Sequence, residues 1–273
     1  HPHLLARFCG QFDEPVQIIP AAPVVPWQYL ELDGDVDVEV DAEIQRLCAD
    51  ERAAVCDLGN RPAFRVSLIR TSAQRHRLVL TNHHIVLDGW SLPILLGEIF
   101  AGYYGQRLSA PVPYRGFVTW LGGRDRDAAR AAWHRVLAGF DNPTQDRSRV
   151  GTQRAELVQL PADLSRSVGE LARACHTTVN VVLQAAFAQL LCWLTGQRDV
   201  VFGTTVSGRP AEVPGAESMV GLMINTVPVR ANIAASSTTV DLLAQLQNDH
   251  NDTLEHEHLA LGEIPRITGQ DKL

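Results

Sequence analysis

The stretch TNHHIVLDGWS, residues 81–91, places two adjacent histidines, an aspartate and a glycine within an otherwise apolar run. The imidazole of histidine has an unperturbed pKa of about 6.5, so it can exchange a proton near neutral pH. The pattern allows three interpretations: an acid–base site, a pair of structural histidines in a core, or a metal site. The metal interpretation is the weakest, because no third ligand lies at a suitable spacing nearby.

The two imidazoles are expected to have different surroundings. Residues 64–70 (FRVSLIR) and 77–83 (RLVLTNH) predict two strands joined by a polar turn. Side chains alternate between the faces of a strand, so a strand that continues through HHIV would point His83 and His84 in opposite directions. Only one of them would then face a given cavity, and the pair would bind a single metal ion poorly.

The residues after the histidines predict a turn into a helix over 92–104. Asp88 and Gly89 favour the turn, and Ser91 is a suitable N-cap for the helix. Gly89 has no Cβ, so it is either a simple turn residue or a point where backbone approaches a substrate closely and donates an N–H. Trp90 is expected to be a packing residue.

Composition limits the class of protein. The chain has 273 residues, 45% of them hydrophobic, which is enough for one large domain or two modest ones. The formal net charge is −7 and no basic run occurs, so nothing favours nucleic acid as a partner. The five cysteines are widely spaced and form no CxxC pair, which is typical of reduced thiols in a cytoplasmic protein.

The most apolar segment is TVNVVLQAAFAQLLCWL, residues 178–194. It carries Asn180, Gln184 and Gln189 and is short for a membrane span, so it predicts a helix in a soluble core. The amino-terminal stretch also lacks the charged-then-apolar form of a signal peptide. We therefore expect no membrane association.

The remaining pattern predicts an α/β protein with two lobes, because strands and helices alternate in both halves. The polar stretch 139–153 is the candidate linker. Further helices are predicted at 40–55, 117–138 with a break around Gly122-Gly123, 162–175, 178–195 and 238–253, and further strands at 154–160, 199–207 and 219–231.

Several motifs together resemble one known family. HHIVLDG (83–89) fits HHxxxDG, the signature of condensation domains of nonribosomal peptide synthetases, which are relatives of chloramphenicol acetyltransferase. Four more stretches follow the family's order along the whole chain: HPHLLARF (1–8) resembles RHxxLRxRF, YRGFVTW (114–120) resembles YxDFAVW, VGLMINTVPVR (220–230) resembles VGxFVNTxxxR, and HEHLALGEI (256–264) resembles HQxxPxE. The chain departs from these motifs at Leu5, Gly116 and Glu257.

The resemblance implies a two-lobed, chloramphenicol acetyltransferase-like α/β sandwich with a tunnel between the lobes. Residues 1–145 would form the amino-terminal lobe with the HHxxxDG motif, and residues 146–273 part of the carboxyl-terminal lobe. The chain begins one residue after the position of the first motif's arginine and ends before the strands that complete the second lobe. We therefore expect a piece of a condensation domain, with the second lobe incomplete.

The resemblance also implies a reaction: an acceptor amine attacks a donor thioester, which forms an amide bond. Both substrates would arrive on phosphopantetheine arms of upstream and downstream peptidyl carrier protein domains, with an adenylation domain as a further partner. The domain would bind no metal and no organic cofactor of its own. Three alternatives remain. Leu87-Asp88-Gly89 argues against epimerisation, and the intact histidine pair argues against a non-catalytic docking platform. The third is an inert fragment, in which the missing ends leave the tunnel incomplete.

Residue roles follow from the same resemblance. His84 takes the catalytic position, and His83 is expected to be a core histidine bonded to backbone. Asp88 is expected to be structural; its partner in the family is the early-motif arginine that this chain lacks. We therefore expect that the isolated fragment is marginally stable, or that Asp88 finds another cation or becomes protonated. Trp90 and Ser91 are expected near the substrate channel, with Gly89 and Asn225 in supporting roles. Asn225 either bonds neighbouring backbone or lines the site. Arg209 and Arg230 are expected to be loop or interface cations.

Overall fold

The computed structural model describes residues 1–32, 37–140 and 157–264. The chain divides into two compact units, one formed by His1–Gly122 with Arg209–Met223, the other by Gly123–Gly208 with Ile224–Leu273. The predicted lobe boundary between residues 145 and 146 and most of the predicted linker lie outside the described residues. The inclusion of Arg209–Met223 in the first unit was not predicted from the sequence.

The first unit contains a three-stranded sheet and three helices. Its strands are β1 (Arg7–Cys9), β2 (Val16–Ile18), β3 (Trp27–Glu31), β4 (Phe64–Ser72) and β5 (Arg75–Asn82), and its helices are α1 (Asp37–Val55), α2 (Ser91–Tyr103) and α3 (Arg115–Gly122). Strands β1 and β2 form a separate antiparallel pair. The sheet has the order β3-β4-β5, in which β3 is parallel and β5 antiparallel to the central β4.

Strand β4 pairs with both other strands of the sheet, and both of its faces are buried. Phe64 and Val66 pack in a core cluster with Leu87 and Leu95. Ile69 packs instead in a second cluster with residues of α1, including Ile44. Burial of both faces fixes the register of β4, and β4 in turn fixes β5, at whose end the histidine pair begins.

The second unit contains α4 (Arg126–Leu137), α5 (Ala162–Ala174), α6 (Val179–Thr195), α7 (Thr239–Thr253) and the antiparallel strands β6 (Asp199–Val206) and β7 (Asn225–Asn232). Helices α6 and α7 pack together in one core cluster through residues such as Ala185 and Leu243. Their ends carry the signals that the sequence contains. Thr178 caps α6, Gly196 ends it with φ 71°, and α7 begins with a Thr238–Asp241 capping box.

Three predicted strands differ from the structure. Strand β5 ends at Asn82, and β7 begins only at Asn225 rather than at 219. Residues 157–160 of the predicted strand 154–160 have no regular structure and are exposed, and 154–156 lie outside the described residues. Leu254–His256, directly after α7, forms a 3-10 turn.

Across the described ranges, no single helix is both long and apolar enough to span a bilayer. Helices α5 and α6 satisfy that criterion only as a pair, which is bent by 104°.

Candidate functional site

The histidine pair lies in a turn and not in a strand. The N–H groups of Val86 and Leu87 donate to the carbonyls of His83 and His84 at 3.2 and 3.3 Å, which closes the turn directly after β5. The prediction that strand alternation separates the two imidazoles was therefore wrong. The hydrogen bonds of the turn, rather than a pleated strand, set the two side-chain directions.

His83 is bound to backbone on both sides. Its N–H donates to the carbonyl of Ala63 at 2.8 Å, and its ring Nδ1 accepts the N–H of Ile85 at 3.1 Å. A ring nitrogen that accepts a hydrogen bond carries no proton, so a neutral ring holds its proton on Nε2. The half-buried His83 therefore holds the turn against Ala63, the residue before β4.

His84 has the opposite surroundings. Its side chain is exposed on the first unit. Within the described part of the chain, no hydrogen bond to its ring is recorded. An exposed imidazole can contact a substrate directly, which is the access that an acid–base role requires.

Asp88 lies at the centre of a buried network below this turn. Its Oδ1 accepts the N–H and hydroxyl of Ser91 at 2.8 and 2.7 Å, and its Oδ2 accepts the N–H of Met223 at 3.0 Å. Burial by itself raises the pKa of Asp88, but the hydrogen bonds from Ser91 and Met223, and then the charge of Arg209, outweigh burial and lower that pKa. Asp88 is therefore a buried carboxylate with its charge compensated.

The cation that Asp88 requires is Arg209. The two side chains are 0–1% exposed, and Nη2 of Arg209 lies 3.3 Å from Oδ1 of Asp88. The same guanidinium donates to the hydroxyl of Ser91 at 3.0 Å and to the carbonyls of Met219, at 2.8 Å, and Ala216. Sequence analysis expected some other cation for Asp88 but could not choose Arg209, because nothing local marks a pair 121 residues apart.

Ser91 requires a correction in both of its predicted roles. It is the first residue of α2 and is not the N-cap, and its side chain is 0% exposed. The carboxylate of Asp88 accepts the N–H of Ser91 and so performs the capping. Ser91 is fully enclosed by protein, so it does not line a substrate channel.

Trp90 and Gly89 stay at the surface. Half of Trp90 is exposed; its Nε1 donates to the carbonyl of Glu217 at 3.3 Å, and its ring centroid lies 5.4 Å from the guanidinium carbon of Arg209. Gly89 is exposed, and a Cβ placed there would meet no atom within 4 Å. Within the protein alone, therefore, nothing steric demands glycine at position 89.

Asn225 lies in the second unit, at the first residue of β7. Its Nδ2 donates to the carbonyls of Glu257 and Leu259, both at 2.7 Å. These contacts correspond to one of the two predicted roles of Asn225, namely bonding to neighbouring backbone. Arg230, on the same strand, pairs with Asp199 at 2.8 Å, also inside the second unit.

The stretch held by Asn225 contains an unusual carboxyl group. Glu257 is mostly buried, and burial raises its pKa to about 7. Its Oε1 lies 3.7 Å from Nδ1 of His250. No group of three or more His, Cys, Asp or Glu side chains in the described ranges is arranged to hold a metal ion.

The raised pKa of Glu257 has a consequence for stability. An acid whose pKa is higher in the folded state stabilises the fold fully below its ordinary pKa of 4.5, and this contribution is lost as the pH rises through about 7. We expect Glu257→Gln to raise the free energy of unfolding by about 1 kcal/mol near pH 8, after allowance for solvent screening, and to change it little near pH 4. Urea denaturation at the two pH values measures this difference.

The matched control is Glu255→Gln, because Glu255 lies two residues away and is exposed. It should give no gain that depends on pH. A gain from Glu257→Gln that is equal at both pH values would show that desolvation of the carboxylate is not its cause.

Comparison with known proteins identifies the family. The family model of the condensation domain matches residues 1–273, so the chain belongs to the condensation-domain family. It is 36% identical over 279 residues to chondramide synthase cmdD of Chondromyces crocatus and 34% identical over 280 residues to bacitracin synthase 3 of Bacillus licheniformis. These matches cover 97% and 98% of this chain but only 7% and 4% of those relatives.

Solved structures show the same fold. The first condensation domain of the calcium-dependent antibiotic synthetase matches with a TM-score of 0.71 at 23% identity, covering 100% of this chain and 67% of that one. The X-domain in the complex with OxyB from teicoplanin biosynthesis matches with a TM-score of 0.81 at 24% identity, covering 99% and 62%. The α/β fold that the sequence resemblance implies is thereby confirmed.

Proposed function

We propose that this chain forms amide bonds between aminoacyl or peptidyl thioesters that carrier proteins deliver. The observation that carries the proposal is the match of the whole chain to the condensation-domain family, together with an exposed His84 in an intact HHxxxDG motif. Synthetases such as bacitracin synthase 3 stand among its relatives. The substrates would arrive on phosphopantetheine arms of two carrier domains, next to an adenylation domain in a cytoplasmic synthetase.

The chemical step requires little more than placement and proton transfer. The acceptor nitrogen attacks the donor carbonyl carbon, the C–N bond forms, the C–S bond breaks, and the thiolate leaves and takes up a proton. An α-amino group has a pKa of about 7.7–8.0, so a useful fraction is already the free base at neutral pH. His84 would accept the proton that the nitrogen loses as the tetrahedral species forms, or would hold the amine by a hydrogen bond.

The surrounding residues would serve this imidazole indirectly. The N–H of His83 binds the turn to Ala63, and the Asp88–Arg209 pair supports the turn from the buried side. Neither group needs to touch substrate to be essential. The proposal assigns Trp90 to the substrate channel, because it remains exposed beside the turn.

The test uses the synthetase that contains this chain, with donor and acceptor carrier domains loaded with isotopically distinct amino acids. We expect the acceptor carrier to gain a dipeptidyl thioester while the donor carrier is emptied, as followed by mass spectrometry. Exchange of the donor α-hydrogen with D₂O without amide formation would identify epimerisation instead. If neither reaction occurs and a separate enzyme without a carrier domain binds measurably to the protein, the docking platform is supported and the proposal is contradicted.

The docking platform is kept as the second candidate because of one structure. The X-domain bound to OxyB has the TM-score of 0.81, against 0.71 for the antibiotic synthetase domain. Identities of 24% and 23% make both comparisons evidence of fold alone. The intact pair His83 and His84 favours the amide-forming function.

A further inference from the structure

One segment of the first unit, Arg209–Met223, is held against the HHxxxDG turn by the motif's own polar groups. At Gly221, both backbone groups are used: its carbonyl accepts the N–H of Asp88 at 3.2 Å, and its N–H donates to the hydroxyl of Ser91 at 3.0 Å. Two residues later, the N–H of Met223 donates to Asp88. Asp88 and Ser91 thus bind three backbone groups at two alternate positions, 221 and 223, as a strand partner would, but largely through side chains.

The hydroxyl of Ser91 is used to its full hydrogen-bonding capacity. A hydroxyl has one proton to donate and two lone pairs to accept with. The Ser91 oxygen accepts from Gly221 and from Arg209, both at 3.0 Å, and lies 2.7 Å from the carboxylate of Asp88. The Ser91 oxygen also lies 2.8 Å from the carbonyl of Gly221, but the charged carboxylate of Asp88 is the stronger acceptor, so the Ser91 proton is best placed on that carboxylate.

The opposite side of the segment is fixed as well. The hydroxyl of Tyr114 donates to the carbonyl of Leu222 at 2.6 Å. A Cβ at Gly221 would lie 2.3 Å from the half-buried ring of Tyr114, so only glycine fits between that ring and Ser91. Next to it, Val220 is 0% exposed and packs with Val86 in the core under the turn. The segment has no room to shift without moving the turn.

We propose that Ser91 is a positioning residue, whose hydroxyl locks segment 209–223 to the turn and thereby holds in place the turn backbone that carries the His84 imidazole. The inference rests on the proposed function for its effect on rate, but not for its structural content. Ser91 itself meets no substrate, because it is enclosed by Asp88, Arg209 and Gly221. It connects two motifs that lie 130 residues apart in the sequence.

The test compares Ser91→Ala with Ser218→Ala, which removes an exposed hydroxyl from the same segment. Ser91→Ala keeps the N–H bond to Asp88 that starts α2, so the helix should persist. We expect the amide of Gly221 to exchange with solvent about fivefold faster or more, and the imidazole resonances of His84 to shift. Ser218→Ala should change neither. Amide formation in single turnover should fall by about tenfold to a hundredfold in Ser91→Ala without a change in half-saturating carrier concentration.

A second variant tests whether segment 209–223 affects His84 when Ser91 itself is unchanged. Tyr114→Phe removes the bond to Leu222 without touching the turn. It should also speed exchange at 221–223 and shift the His84 resonances, though less. Unchanged His84 resonances in Ser91→Ala, or in a Tyr114→Phe variant whose segment exchanges faster, would overturn the proposal. If the unaltered protein forms no amide, the proposed function fails, while exchange and the His84 resonances still decide the role of Ser91.

Discussion

Replacing His84 by alanine should leave a folded protein whose single-turnover rate of amide formation is lower by about 10²–10⁴-fold, the usual contribution of a positioned acid or base. The fold should survive because the His84 side chain is exposed and no described residue is recorded as hydrogen-bonding to its ring. The measurement is rapid-quench mass spectrometry of the acceptor carrier, with circular dichroism and urea denaturation as evidence of folding.

The matched control is His134→Ala. His134 is also exposed, but it lies on α4 in the second unit and is not part of the motif. It should retain the rate of the unaltered protein. A near-native rate in His84→Ala would remove His84 from the mechanism, whatever the folding measurements show.

A third variant separates the two roles proposed for this imidazole. Glutamine can hold an amine by a hydrogen bond but takes up no proton near neutral pH. If His84 accepts the proton of the amine, His84→Gln should be about as slow as His84→Ala. If His84 only orients the amine, His84→Gln should recover much of the rate.

The elements with strong local patterns could be predicted from sequence. Helices α6 and α7 carry caps, α5 has an apolar periodicity, and the β4–β5 hairpin combines β-branched runs with a polar turn. Each of these signals lies within a dozen or so neighbouring residues. Local physics is sufficient for such elements because the deciding contacts are close in sequence.

The predicted strand at 219–231 shows where local reasoning stops. Its apolar run VGLMI is typical of a strand, yet regular pairing begins only at Asn225. Before that point, backbone groups of Gly221 and Met223 are bound by Ser91 and Asp88 instead of by a strand. No pattern within the run itself could reveal partners that lie 130 residues earlier.

The residues of the candidate site could be named from the sequence, but their contacts could not. The motif singled out His84 and His83 as candidates and Asp88 as a structural residue. It misplaced Ser91, since a serine before an apolar helix is usually its cap. Here Asp88 caps the helix, and this frees the serine hydroxyl for Gly221 and Arg209. Which of Asp88 and Ser91 caps the helix depends on how the two side chains are buried, and their burial is known only from the folded structure.

Replacing Asp88 by asparagine should destabilise the first unit by about 3–5 kcal/mol, because it leaves the buried guanidinium of Arg209 without its counter-charge. That is a large fraction of the stability of a typical domain, about 5–15 kcal/mol. Asparagine also introduces an amide donor where the carboxylate accepted only. Urea denaturation followed by fluorescence measures the loss of stability. The rate of amide formation should also fall, because the turn loses the buried ion pair that supports it.

The exposed pair of Asp57 and Arg61 provides the control. Their charged atoms lie 3.9 Å apart and both side chains are largely exposed, so Asp57→Asn should change the free energy of unfolding by about 0–1 kcal/mol. In the double variant Asp88→Asn/Arg209→Gln, the loss should be smaller than the sum of the two single losses, because no unpaired charge is then buried. Simple additivity would mean that the two groups do not interact.

The pH dependence tests whether charge, rather than shape, is responsible. The pKa of Asp88 is lowered in the folded state below its ordinary 3.8, so its contribution is present above that pH and is lost as the pH falls through the folded value. Unaltered protein should therefore lose stability in acid more steeply than Asp88→Asn, and the two curves should converge at low pH. Parallel curves would assign the cost of the substitution to packing, and the buried pair would then be an incidental feature of the turn instead of its support.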